Sequence, residues 1–256
     1  VLFRSNYGDY KNIKSIITVH NIEYQGIFDL AIAEDVFDLH GKEKGIVEYN
    51  GVINLLKGAM ETSHLISTVS ESYSKEIFDD YYAKGLAKII EKNSSKIRGI
   101  LNGIDTEVYN PETDEALFEN YSIKTIEKKY LNKQNLQSLT GLPQDKDIPL
   151  IGIISRLVKH KGFDLIINAM EGILKEKVQF VILGKGDRGY ELYFNSLEDS
   201  YHDKVSAKID FNSDLARKIY AGADMFLMPS ISEPCGIAQM ISSRYGTIPI
   251  VRETGG

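Results

Sequence analysis

The sequence predicts an α/β protein built on parallel sheets, and three observations carry that prediction. Short β-branched runs alternate with stretches of helical period along the chain. One apolar run, Leu150 to Ile154, passes through a basic loop into a helical pattern that starts at Phe163. Another, Met225 to Met228, is followed by a single acid, Glu233, and by Gly236, which opens a further helix. Strand, loop and helix repeated in that order are the units of a parallel sheet.

Taken in order, strands are expected at Ser15 to Val19, His64 to Val69, Ile97 to Leu101, Leu150 to Ile154, Gln179 to Leu183, Val205 to Ile209, Met225 to Met228 and Ile248 to Val251. Helices are expected at Val52 to Glu61, Glu71 to Phe78, Thr125 to Leu139, Phe163 to Leu174, Tyr190 to Leu197, Asp214 to Ala221 and Ile237 to Tyr245. Ser70 stands where an N-cap is needed, with Glu71 in the first turn, where an acid meets the positive end of the helix. Asn102 to Pro111 carries turn residues and no period, and the alternation restarts after Pro149. The chain is therefore expected to cross there between two domains, residues 1–101 and 102–256. Lys124 to Lys133 reads as the charged face of a solvated amphipathic helix.

A chain of 256 residues with 43% hydrophobic content can bury ordinary cores in one large domain or two smaller ones. One cysteine, no apolar run near about 18 residues and no basic-then-apolar leader point to a cytoplasmic protein that neither spans nor anchors in a membrane. A net charge of −6, with 30 basic residues scattered through the chain, gives no electrostatic reason to expect nucleic acid. The five histidines, at 20, 40, 64, 160 and 202, show no metal-ligand spacing, and the lone Cys235 excludes a thiolate cluster, so no metal site is expected. Cys235 has no evident partner base and reads as a buried thiol. Nothing in the sequence indicates an oligomeric state.

The residues that could carry chemistry sit where strands end. Arg156 and Lys161, five apart, follow the run Leu150 to Ile154. In open α/β sheets ligands bind at that end, and a guanidinium with an ammonium can hold two charged oxygens of a diphosphate and favour its departure. Two bases in a solvated loop are the plainer reading, and Glu233 shifts the balance, because a carboxylate and the free amides of a helix start suit a sugar on a diphosphate. His20 follows the first strand and could donate to a sugar hydroxyl or shield charge at a reacting carbon; alone it would be read as packing. Leu183-Gly184-Lys185-Gly186-Asp187 is a glycine turn with a steric purpose, and no catalytic role is assigned to it. No Gly-x-Gly-x-x-Gly opens a helix with an acid about 20 residues later, which removes a dinucleotide-dependent dehydrogenase.

In their order along the chain, Thr18-Val19-His20-Asn21 with Tyr24-Gln25-Gly26, Asn54-Leu55-Leu56-Lys57-Gly58, Thr68-Val69-Ser70, Asn102-Gly103-Ile104-Asp105 and Ser155-Arg156-Leu157 with Lys161-Gly162 form a set. It continues through Ala221-Gly222-Ala223-Asp224, Met228-Pro229-Ser230, Glu233-Pro234-Cys235-Gly236, Tyr245-Gly246-Thr247 and Thr254-Gly255-Gly256. This set resembles the bacterial glycogen synthases and plant starch synthases. The resemblance implies the GT-B fold, two Rossmann-like parallel-sheet domains facing a cleft, with 1–101 the C-terminal part of a starch synthase catalytic domain and 102–256 the nucleotide-sugar-binding domain. It implies transfer of glucose from ADP-glucose to the non-reducing end of an α-1,4-glucan with retention, the donor and the glucan being substrates and no cofactor being needed. By position, His20, Arg156, Lys161 and Glu233 would be catalytic. Asn102, Phe211, Cys235, Gly236, Thr254 and Gly255 would bind the donor, Phe211 standing where the family commonly stacks a tyrosine on adenine.

The resemblance also carries departures. The family's Lys-Thr-Gly-Gly loop has no counterpart, and Val1 to Ser5 match nothing in the family. The chain stops at Gly256, where a helix is expected to begin. It is therefore expected to be a fragment, with the first domain incomplete and the second truncated, that does not turn over by itself. Two rival readings remain: a retaining GT-B transferase using UDP-glucose or GDP-mannose, and a noncatalytic nucleotide- or glucan-binding module. Many of the rival transferases carry a second glutamate eight residues after the first, where this chain has Ile241.

Overall fold

Wherever the sequence sets an expected strand, the computed structural model, which describes residues 12–256, places a strand of a parallel sheet. Val1 to Ser5 lie outside the described residues. The chain packs as two compact units, Val1–Asn102 with Thr254–Gly256, and Gly103–Glu253. The division falls one residue after the expected boundary, and the last three residues group with the first unit.

In the first unit, strands β1 (Ile16–Val19), β5 (Leu65–Thr68) and β6 (Ile97–Gly99) form a parallel sheet in the order β1-β5-β6. The Ser70 side chain accepts from the Tyr73 amide at 3.0 Å, so the expected cap starts the helix Glu71–Glu76. A second, antiparallel sheet was not expected: β2 (Ile27–Asp29), β3 (Glu48–Tyr49) and β4 (Val52–Asn54), in the order β2-β4-β3. Its β4 takes the first turn of the helix expected from Val52. Asn50 and Gly51, both at positive φ, close a two-residue hairpin with Tyr49 opposite Val52. The helix starts only at Leu55, because the Asn54 side chain accepts from the Lys57 amide at 2.9 Å. Buried Gln25 ties these pieces together, accepting from Asn54 Nδ2 at 2.7 Å and donating to the Lys84 carbonyl at 2.9 Å.

The second unit is built on one parallel sheet of β7 (Leu150–Ile154), β8 (Gln179–Leu183), β9 (Val205–Lys208), β10 (Met225–Met228) and β11 (Ile248–Val251), in the order β11-β10-β7-β8-β9. The sheet grows outward from β7 to β9, then the chain returns to place β10 on the other side of β7. Strand order reverses between β7 and β10, and a crevice outside the C-terminal ends of those two strands follows from that reversal. Leu150, Ile153, Phe180, Val181, Ile182 and Phe226 are buried to 1% exposure or less and form the core of the sheet. Gly103 to Ser122, on the second unit's side of the expected crossing, packs against this core. There the Tyr121 hydroxyl donates to the Tyr245 carbonyl at 2.8 Å.

Lys124 to Lys133 is not a solvated helix face. A 3-10 turn over Ile123–Lys128 precedes the helix Lys129–Thr140, and two of its lysines point inward. Lys129 Nζ donates to the carbonyls of Tyr220 (3.3 Å) and Ala221 (2.6 Å) and to Thr247 Oγ1 (2.7 Å). Lys133, 3% exposed, donates to Asp224 at 2.7 Å and to the Lys146 carbonyl at 2.9 Å. The lysine stems span the layer between helix and sheet while their heads reach polar groups at the strand starts.

Candidate functional site

At the switch point, two loops of the second unit are held together. The loop after β7 ends in a 3-10 turn, Lys159–Lys161, and the His160 carbonyl accepts from the amides of Ile231 (2.8 Å) and Ser232 (3.4 Å) in the loop after β10. Gly162 makes this approach feasible. It sits at φ +80°, and a Cβ there would stand 2.1 Å from the Pro229 carbonyl oxygen. Held in this way, Lys161 Nζ meets Glu233 Oε2 at 2.6 Å, and the Ser230 hydroxyl donates to the same oxygen at 2.9 Å. Both side chains are mostly buried, at 18% and 13% exposure, so the ion pair works in a medium where charge-assisted bonds are strong. Gly236, at φ +83°, starts the helix Ile237–Arg244 behind this acid, and Cys235 beside it is buried as expected.

A cavity of about 450 Å³ opens along the same edge of the sheet. Its lining includes Ser155 and Arg156 after β7, Gly184 and Lys185 after β8, and Phe211 and Arg217 after β9. Phe211 stands 90% exposed, which leaves its ring available for stacking. The glycine turn after β8 is steric, as the sequence suggested, and it is also part of the cavity. A Cβ on Gly184 would lie 2.0 Å from the Ser155 carbonyl oxygen, so glycine lets the two loops close up and form one wall. Lys161 and Glu233 are outside this lining, although Lys161 shares its loop with Arg156. Ile241 lines the cavity where the rival transferases would place their second acid.

The other expected site residues belong to the first unit. His20 follows β1 and is exposed. Asn102 lies three residues after β6, its amide donating to the Val69 carbonyl at 3.2 Å. Thr254 and Gly255, also expected to bind the donor, lie against Glu76, whose Oε1 accepts from the Gly255 amide at 2.9 Å and from the Thr254 hydroxyl at 3.2 Å. Thus Arg156, Lys161, Phe211, Glu233, Cys235 and Gly236 share the second unit, while His20, Asn102, Thr254 and Gly255 share the first. Sequence reasoning missed Arg217, Tyr109 and Lys185 in the cavity wall. Lys185 was findable, as the cation in a glycine turn after a strand. Arg217 looks like any surface base of an amphipathic helix.

No helix among the described residues is long and apolar enough to cross a membrane, and no cluster of three metal-ligating side chains occurs among them.

Residues 1–92 match the starch synthase catalytic domain, and residues 137–256 match glycosyl transferases group 1. The chain is 49% identical over 249 residues to glycogen synthase of Clostridioides difficile, covering 96% of this chain and 52% of that protein. It is 48% identical over 247 residues to glycogen synthase of Thermosipho africanus, covering 94% of this chain and 50% of that protein. The catalytic domain of starch synthase IV from Arabidopsis thaliana, bound to ADP and acarbose, superposes with a TM-score of 0.90 at 36% identity, over all of this chain and 54% of that one. A likeness of fold alone links it to Anabaena Alr3699/HepE in complex with UDP and glucose, with a TM-score of 0.56 at 18% identity, over 95% of this chain and 54% of that one. The chain spans about half the length of the curated relatives it matches. In sequence along nearly all of its length and in fold, the chain belongs to the glycogen and starch synthase family of GT-B glycosyltransferases.

Proposed function

We propose that this chain is part of a glycogen synthase, which transfers glucose from ADP-glucose to the non-reducing end of an α-1,4-glucan with retention. One observation carries the reading: a lysine–glutamate pair and an arginine stand at the switch point of a parallel sheet, beside a cavity of nucleotide size rimmed by an open aromatic ring. Arg156 and Lys161 hold the diphosphate and stabilise the charge that develops as the bond from the anomeric carbon to the phosphate oxygen breaks. Glu233 accepts from the hydroxyls of the donor glucose, and Phe211 stacks on adenine. The amides near Cys235 and Gly236, with Asn102, Thr254 and Gly255, complete the donor contacts, and His20 faces the reacting carbon.

The new bond forms from an acceptor hydroxyl oxygen to the same face of the anomeric carbon, and the hydroxyl proton passes to the departing phosphate. Neither an enzymic nucleophile nor a metal or other cofactor is required, so the protein acts by positioning and by electrostatic stabilisation. Lys161 meets Glu233 until a phosphate competes for it, which couples donor binding to release of the carboxylate toward the sugar. Sparse cysteine usage supports a cytoplasmic location.

The test is calorimetric binding of ADP, UDP and GDP to the chain, with Arg156→Ala as control. ADP preference, lost in the variant, is expected. Preference for UDP or GDP would transfer the reading to another retaining GT-B enzyme, and binding without transfer by the complete protein would leave a noncatalytic module.

A further inference from the structure

We propose that Arg217 binds the nucleoside half of the donor and that Asp114 is its positioning residue; the proposal rests on reading the cavity as a nucleotide site. Arg217, on the helix Ser213–Gly222, lies in the cavity wall and donates from Nη1 to Asp114 Oδ1 at 3.1 Å. The Asp114 side chain is fully buried. It also accepts from the Ala116 amide at 2.9 Å and from the Tyr245 hydroxyl, whose backbone carbonyl is in turn held by Tyr121. Besides Arg217, two donors fix this carboxylate, the Ala116 amide from its own loop and the Tyr245 hydroxyl from the end of the helix Ile237–Arg244, and through it they fix the guanidinium.

A guanidinium has five N–H donors in one plane, and the bond to Asp114 uses Nη1 alone. At 30% exposure the group is neither solvated nor sealed. The wall to which it belongs is largely apolar and includes Ile154, Ala216 and Ile241, with Asn212 and Ser213 among its polar members. A clamped cation with spare donors in a largely apolar wall is a recognition element for acceptor atoms that arrive with a ligand.

Sheet order says which half of the ligand arrives there. The proposed phosphate-holding residues Arg156 and Lys161 follow β7, beside β10, whereas Phe211 and Arg217 follow β9 at the far edge of the order β11-β10-β7-β8-β9. A nucleotide with its phosphates near β7 and β10 extends its ribose and base toward β8 and β9. Ribose oxygens and ring nitrogens supply the acceptors. Ile241 in the same lining offers no polar side-chain atom, whereas Arg217 presents a cation with donors to spare.

Binding of ADP and of inorganic pyrophosphate to the 256-residue chain, measured by calorimetry, tests the proposal. Arg217→Ala alone strands a buried carboxylate, so the double variant Asp114→Asn/Arg217→Ala is measured beside it, with folding checked by circular dichroism. Both are expected to weaken ADP about tenfold, the scale of a hydrogen bond to a charged group, and to leave pyrophosphate within about twofold. Asp114→Asn alone should give a smaller loss for ADP and none for pyrophosphate, which a merely structural role would not produce. Arg156→Ala should weaken both ligands. Folded Arg217 variants that bind ADP like the wild type, or lose both ligands equally, overturn the role of Arg217. A wild-type chain that binds no ADP overturns the nucleotide reading of the cavity and the proposal with it.

Discussion

The sheet of the second unit carries a lysine–carboxylate pair at each end of its strands, and the two pairs are nearly the same length. At the C-terminal ends Lys161 meets Glu233 at 2.6 Å; at the N-terminal ends Lys133 meets Asp224 at 2.7 Å. What differs is what else their polar atoms do. Asp224 Oδ2 also accepts from the Leu150 amide at 2.7 Å, and Lys133 also donates to the Lys146 carbonyl, so this pair is woven into the backbone. Among the described residues the other hydrogen bond of Glu233 comes from a side chain, Ser230, and it falls on Oε2, the oxygen that already meets Lys161. A cavity of about 360 Å³ opens beside Lys129 and Lys133 as well, yet the ammonium groups in its wall are already satisfied by protein acceptors. Neither a short ion pair nor a hollow marks a site by itself. The mark is a pair whose partners can be exchanged for those of a ligand, at the end of the sheet where strand order reverses.

The largest effect that would sharpen this contrast is on stability. Asp224→Ala leaves Lys133 buried without its counter-charge and is expected to cost about 3 to 5 kcal/mol, measured by denaturant unfolding. Lys161→Ala should cost less in stability. In the complete protein it should instead remove about 2 to 4 kcal/mol of transition-state stabilisation, as should Arg156→Ala, read from kcat/KM. Equal unfolding costs for Asp224→Ala and Lys161→Ala, or unchanged turnover in both Lys161→Ala and Arg156→Ala, would break the comparison.

A smaller effect concerns pH. Burial pushes the Lys129 ammonium down to about 7, against an ordinary lysine value near about 10.4. Nearby Asp224 pulls it back up and Lys133 adds to the depression. Between those two values the unfolded chain holds a proton on this residue that the folded chain lacks. Stability therefore rises with pH across that window, by at most about 1.4 kcal/mol per pH unit, and below pH 7 the contribution is flat. Lys129→Met should remove this slope. A variant with the same slope as the wild type would show that the ammonium is retained in the fold.

Much of the fold was legible because its signals are local. Alternating runs and periods are written within about ten residues, and so are the Ser70 cap and the glycine that opens the helix after Glu233. The Asn50-Gly51 hairpin was equally local, yet it was passed over because the apolar stretch after it also fits a helix. The candidate site was legible by position: Arg156, Lys161 and Glu233 each follow an apolar strand, and the ends of strands are where ligands bind. The inward turn of Lys129 and Lys133 was not legible, since a lysine that snorkels to buried carbonyls and one that points to water read alike in sequence.

By itself, then, the sequence determined the strands of the parallel sheets and most of the helices packed on them, the family to which the chain belongs, and which residues stand at strand ends. Tertiary structure decided which strand ends become neighbours. Placing β10 beside β7 set Glu233 against Lys161, although 72 positions separate them. Tertiary packing also brought Asp114 to Arg217 across 103 positions and turned two lysines into struts. Local conformation depends on steric and hydrogen-bonding preferences over a few residues, which composition and spacing record. Pairing across a sheet depends on the order in which strands pack, and that order is settled by the burial of whole faces at once.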